Sequence, residues 1–206
     1  MKKIILSTFV AATLLASCKS ENKKENIVKE VTIEKKAAFV VQDADNKINW
    51  TAYKTTEKKP VNGEFKKVDI TANGQGNTIK EAINNTEFSI PVSSVFTKDS
   101  GRDFKIKKFF FGIMDNTKLL SGKLVIENDS LGHANLTMNG FTNKLPFKYT
   151  VNGKVFSLSA NMKISDWKAN NALTSLNEAC KDLHKGADGV SKTWDDVAIN
   201  ITTTFK

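Results

Sequence analysis

Nucleophilic, acid–base and metal chemistry draw on a few side-chain types, and this sequence is poor in them. Its 206 residues hold two histidines, His133 and His184, and two cysteines, Cys18 and Cys180. A hydrolytic triad needs a serine activated by an imidazole that a carboxylate orients. No Gly-x-Ser-x-Gly turn is present to carry such a serine. Cys180 and His184 stand four apart, as on one helix face, but two ligands fall short of a zinc site. Cys180 therefore reads as a small buried thiol on an apolar stripe. His133 precedes Ala134 and so points away from the apolar face it flanks. The sequence thus predicts no catalytic residue, no metal and no catalytic cofactor, and reads as a binding protein rather than an enzyme.

Arg102 is the only arginine among 31 basic residues, and Asp103 follows it. The pair has two readings, a charge that meets the polar head of a ligand or an ion pair that holds its own segment. Specific nucleic-acid recognition leans on the planar guanidinium fork. The formal charge of +9 is nearly all lysine interspersed with acids, which describes a solvated basic surface and no nucleic-acid partner.

The first residues read as an address label. Lys2 and Lys3 precede an apolar run from Ile4 to Leu14, the length of a signal-peptide core and too short to span a bilayer. Leu15-Ala16-Ser17-Cys18 resembles the lipobox of bacterial lipoproteins. That resemblance implies removal of residues 1–17 and lipidation of Cys18, and multiple acyl chains give stable anchoring. The expectation is an exported lipoprotein held at the bacterial envelope, on the periplasmic face or the cell surface. Residues 18–37, rich in Lys, Glu, Asn and Ser, read as a flexible tether. With Cys18 lipidated, no internal disulfide is available.

From residue 45 onward the dominant period is two, the signature of strands with one dry and one wet face. Leu120, Leu124 and Ile126 share a face, and Ala134, Leu136 and Met138 share another. Phe156, Leu158, Ala160, Met162 and Ile164 form a nine-residue comb, and Val197, Ile199, Ile201, Thr203 and Phe205 close the chain in the same way. Asn152-Gly153 between two such runs is a strong hairpin signal. Adding Ala38–Gln42 and Thr86–Val92 makes about eight or nine strands in hairpin order. The class is all-β, an antiparallel meander that closes into a barrel or folds into a two-sheet sandwich. An eight-stranded barrel has room for packed side chains or for one small ligand, and the pattern suits both. Two stretches break the period. Arg102–Phe111 reads as a short helix or lid with an aromatic underside. Leu173, Leu176, Cys180 and Leu183 recur at helical spacing, with His184-Lys185-Gly186 as the helix end.

The ordered series Ile48-Asn49-Trp50-Thr51-Ala52-Tyr53, Pro60-Val61-Asn62-Gly63-Glu64-Phe65, and Gly101-Arg102-Asp103 leading into Phe109-Phe110-Phe111 resembles the YceI-like family. Leu136–Asn143 and Trp194–Ile199 resemble its later strands, and the likeness covers residues 38–206. The resemblance implies an extended lipocalin-like antiparallel β-barrel of about eight strands, with one or two short helices. It also implies binding of a long isoprenoid-type lipid, a quinone or polyprenyl chain, in an apolar cavity. An alternative is a packed barrel that serves as an envelope stress or protein-interaction scaffold. Two departures fall near a barrel mouth. Phe104-Lys105 stands where the family often has His-Leu, and Ala172–His184 is a longer helical insertion. The candidate lining residues on the strands are Trp50, Phe65, Phe88, Leu124, Phe147 and Phe156. Arg102, Phe104, Phe109, Phe110 and Trp167 are the candidates outside them. The oligomeric state, a dimer included, stays open.

Overall fold

The structure is a computed structural model that describes residues 36–206. The expected signal sequence 1–17, Cys18 and all but the last two residues of the expected tether lie outside the described residues.

Twelve strands run in chain order. β1 (Phe39–Val40), β2 (Asp45–Lys54), β3 (Lys59–Phe65), β4 (Asp69–Ala72) and β5 (Gln75–Gly76) precede the helix α1 (Ile79–Ile83). β6 (Glu87–Pro91) and β7 (Val95–Phe96) lead to α2 (Ser100–Lys105), a π-turn (Ile106–Phe110) and a 3-10 turn (Phe111–Ile113). β8 (Leu119–Ile126), β9 (Leu131–Met138), β10 (Phe141–Asn152) and β11 (Val155–Lys163) form a meander. A 3-10 turn (Ile164–Trp167) and α3 (Asn170–Ala179) separate it from the last strand, β12 (Thr193–Thr204).

Ten strands make one antiparallel sheet in the order β4-β6-β8-β9-β10-β11-β12-β2-β3-β7. β6 and β7 are two halves of one bent segment. β6 pairs with β8, and β7 pairs with β3. Between them the Val92 N–H donates to the Lys118 carbonyl, and the Lys66 N–H donates to the Ser94 carbonyl. Residues 87–96 therefore close the ring. The result is an eight-membered up-and-down barrel, with β4 laid against β6 and β1 and β5 paired separately. Closure satisfies the sheet edges that a sandwich would expose. The expected class and meander are the observed ones. The barrel has the expected eight members, and short pieces at its ends bring the described strands to twelve.

The predicted combs form the dry face. Leu136 and Met138 on β9, Leu145 and Phe147 on β10, and Leu158 and Met162 on β11 are all buried. The two ends of the barrel differ. One is filled by Val41, Ile79, Ala82 and Ile83 around α1. There Tyr149 stacks on Phe156 with ring centroids 5.2 Å apart. Thr78 and Glu81 form a reciprocal capping box at the start of α1, which satisfies two orphan donors of a very short helix. At the other end α2, the π-turn and α3 pack together as a helical cap.

The second helix corrects its predicted extent. α3 ends at Ala179 instead of reaching His184. Cys180 is buried, but Leu183 is 59% exposed. Thr193 Oγ1 and Ser191 Oγ both donate to Asn177 Oδ1, at 2.9 and 3.3 Å, which ties the last turn of α3 to the start of β12. Gly186 sits where a Cβ would lie 2.6 Å from Thr56 Oγ1; it marks a close approach of two loops, not a helix end.

Candidate binding cavity

Alternation turns apolar side chains from every long strand into the lumen, and they do not fill it. A cavity of about 180 Å³ remains, walled by hydrocarbon and aromatic groups, with Thr193 the only hydroxyl. An apolar void of roughly 150 Å³ is already large enough to take a benzene. The even choice between packed core and hollow barrel is thus decided for a hollow one.

The cap forms one wall. In the π-turn the Phe111 N–H reaches back to the Ile106 carbonyl. This i→i+5 step widens the turn and brings Ile106, Phe110 and Phe111 to the lumen together. Leu173 and Leu176 of α3 complete the wall. At the rim of the barrel Trp50 and Gly63 face each other across β2 and β3. A Cβ on Gly63 would lie 2.1 Å from the indole, so only glycine leaves room for Trp50 to lie flat on the wall.

Trp50, Phe65, Phe88, Phe110, Leu124 and Phe147 all line this lumen. The five other candidates do not. Phe104 is 57% exposed and meets Phe109 edge-on at 6.4 Å, with Lys108 over both rings; both lie off the cavity, on the far side of the cap. Phe156 is fully buried at the filled end of the barrel. Trp167 is also buried, past the opposite rim, and its Nε1 donates to the Leu136 carbonyl at 2.8 Å. Arg102 borders a second, adjoining cavity. The wall residues not named from sequence include Ile106, Leu176 and Trp194. Leu176 lay on the recognised helical stripe; for Ile106 the π-turn leaves no periodic signal.

Arg102 and Asp103 do not pair with each other, which overturns the reading of an ion pair that holds its own segment. Asp103 is buried and accepts from the Thr97 N–H and Thr97 Oγ1, at 2.8 and 2.7 Å. It braces α2 against the end of β7. Arg102 faces Asp99 at 3.6 Å instead. Asp99 caps α2 by accepting from the Arg102 N–H.

The imidazoles sit apart. His133 Nδ1 is 2.7 Å from Glu127 on the outer surface, and Lys144 holds the same carboxylate. Both partners keep Glu127 below the usual carboxylate range, Lys144 first. His184 is part-buried, with Nδ1 2.7 Å from Thr193 Oγ1. Burial first, then the charges of Lys54 and Arg102, pushes its pKa down to about 4. The unfolded imidazole takes a proton near 6.5, the folded one only near 4. Stability is therefore full above about pH 6.5 and falls as the pH drops toward 4. The loss is on the order of 2 kcal/mol. Urea melts at pH 7 and pH 4 should show this loss in the wild type and a smaller one in His184→Gln. Parallel pH dependence in the two proteins would refute it.

The profile of the YceI-like domain matches residues 39–205. No curated protein matches the chain. Among solved structures, a polyisoprenoid binding domain from Saccharophagus degradans, implicated in plant cell wall breakdown, is similar. It has a TM-score of 0.58 and 11% identity over 82% of this chain and 98% of that one. A mutant YCEI protein of Campylobacter jejuni with a monobromobimane guest gives a TM-score of 0.51 and 20% identity, over 71% of this chain and 85% of that one. These likenesses show the fold, and the profile match across nearly all the described residues shows the family: the chain belongs to the YceI-like family.

Proposed function

We propose that the protein binds and carries a hydrophobic isoprenoid-type lipid, a quinone or polyprenyl chain, in the barrel lumen. The observation that carries this reading is the lumen itself, a hydrocarbon-walled cavity under a helical cap. Burying each CH₂ there contributes about 0.8 kcal/mol, so affinity accrues along a chain without many hydrogen bonds. The printed description of the Saccharophagus degradans structure, a polyisoprenoid binding domain, supports the same ligand class. A cavity of about 180 Å³ holds only a segment of a long chain. No helix among the described residues is long and apolar enough to cross a membrane. Attachment at the envelope rests on the lipobox-like Leu15–Cys18, with Cys18 as the lipidated residue.

Native mass spectrometry of the full-length protein, before and after solvent extraction, tests the reading. A stoichiometric prenyl species that rebinds to extracted protein is the expected result. A protein that is isolated empty and takes up neither geranylgeraniol nor a menaquinone would overturn it.

A further inference from the structure

The lumen does not end at Trp50. A second cavity of about 200 Å³ adjoins it, and the two share Trp50, Ala52, Ile106, Leu176 and Thr193. Its chemistry is different. Lys54, Arg102 and Lys105 are on its wall, with Asp99 as the single carboxylate. That carboxylate is engaged by the Arg102 N–H at 2.9 Å, and its contact with the guanidinium is long at 3.6 Å. Lys54 Nζ donates to the Leu183 carbonyl at 3.1 Å. Among the described residues neither Lys54 nor Lys105 forms a salt bridge.

Lys54, Arg102 and Lys105 line this one space together with Cys180 and His184, and their charge bears on both groups. Burial pushes the Cys180 thiol up, and Lys105, Lys54 and Arg102 all oppose that rise. Lys54 and Arg102 likewise help to hold His184 neutral. An independent observation lies on the shared wall. Trp50 is 8% exposed, and its Nε1 has no acceptor among the described residues. A buried donor left unpaired costs about 1–3 kcal/mol, and natural sites rarely carry one without a use. Here an unused donor stands where the hydrocarbon wall gives way to the basic one.

We infer that this antechamber is an anion subsite, holding the carboxylate or phosphate head of an amphiphile whose hydrocarbon tail occupies the lumen. The inference rests on the carrier reading above and adds the charge of the head. Trp50 Nε1 donates to a head-group oxygen. Arg102 and Lys105 supply charge-assisted hydrogen bonds, which are stronger than neutral ones. A neutral quinone would use the indole donor but leave Lys54 and Lys105 without a counter-charge, since Asp99 faces only Arg102.

The full-length extracted protein should be titrated with two matched pairs, geranylgeranyl monophosphate against geranylgeraniol and palmitate against hexadecanol. At low salt, the anion of at least one pair is expected to bind at least ~10-fold more tightly than its alcohol, and the better anion names the head. Arg102→Gln and Lys105→Gln should each move the anion-to-alcohol affinity ratio toward one. Raising the salt should narrow it as well. Alcohols that bind as tightly as anions would overturn the anion subsite and leave the carrier reading standing. So would variants that weaken both members of a pair equally. Failure of all four probes to bind would remove the carrier reading and this inference with it.

Discussion

Replacing Ala160 by phenylalanine is expected to abolish uptake of an apolar chain while the barrel stays folded. Ala160 lies mid-strand on β11, opposite Ile199, and its Cβ faces the lumen. In a solid core an added ring has nowhere to go, and overpacking costs about 1–3 kcal/mol. In the hollow barrel the ring enters a space of about 180 Å³ and buries its own surface there. The ligand then loses contacts worth roughly four CH₂ groups, about 3 kcal/mol, or ~100-fold in affinity. The check is a paired measurement of prenyl-lipid affinity and melting temperature. Lost binding with an unchanged or raised melting temperature is the expected outcome. Lost stability with unchanged binding would mean that the site lies elsewhere.

Trp167→Ala should have the largest effect on stability. The indole is 1% exposed, in the turn between β11 and α3. Its N–H satisfies the Leu136 carbonyl of β9, and its own carbonyl accepts from Asn139 Nδ2 at 2.9 Å. Truncation removes about 3–5 kcal/mol of packing and one hydrogen bond, worth about 0.5–1.5 kcal/mol; the Leu136 carbonyl keeps its place in the β9–β10 ladder opposite Asn143. Small domains hold only about 5–15 kcal/mol in total, so the variant should sit at the edge of unfolding. Trp167→Phe keeps most of the volume and should recover more than half of the loss. Urea melts of the three proteins separate the packing share from the hydrogen-bond share. Equal midpoints for wild type and Trp167→Ala would show that the residue is not a structural keystone.

The contrast between Ala160 and Trp167 marks what the sequence made legible. Alternation identified the inward face correctly: Leu136, Leu145, Leu158 and Met162 all turn inward. It carries no information about depth along the barrel axis. Phe156 and Leu158 belong to one comb, yet Phe156 packs into the filled end and Leu158 lines the cavity. Phe104 and Phe110 belong to one aromatic cluster, and the π-turn sends them to opposite sides of the cap. Spacing also could not assign the partners of Arg102 and Asp103, because both contacts depend on the loop that brings Thr97 and Asp99 back to α2. Lys54 and Lys105 were two lysines among many until the fold placed them with Arg102 beside His184.

The β2–β12 pairing has a consequence for assembly. Asp45 meets Thr204, and nine registered pairs join the start of the folded unit to its end. Contacts of such long sequence separation form late and fold slowly. A growing polypeptide can stitch its hairpins in order, but it encloses nothing until β12 is made. Container and contents are thus separated in time: no fragment that lacks β12 has an inside.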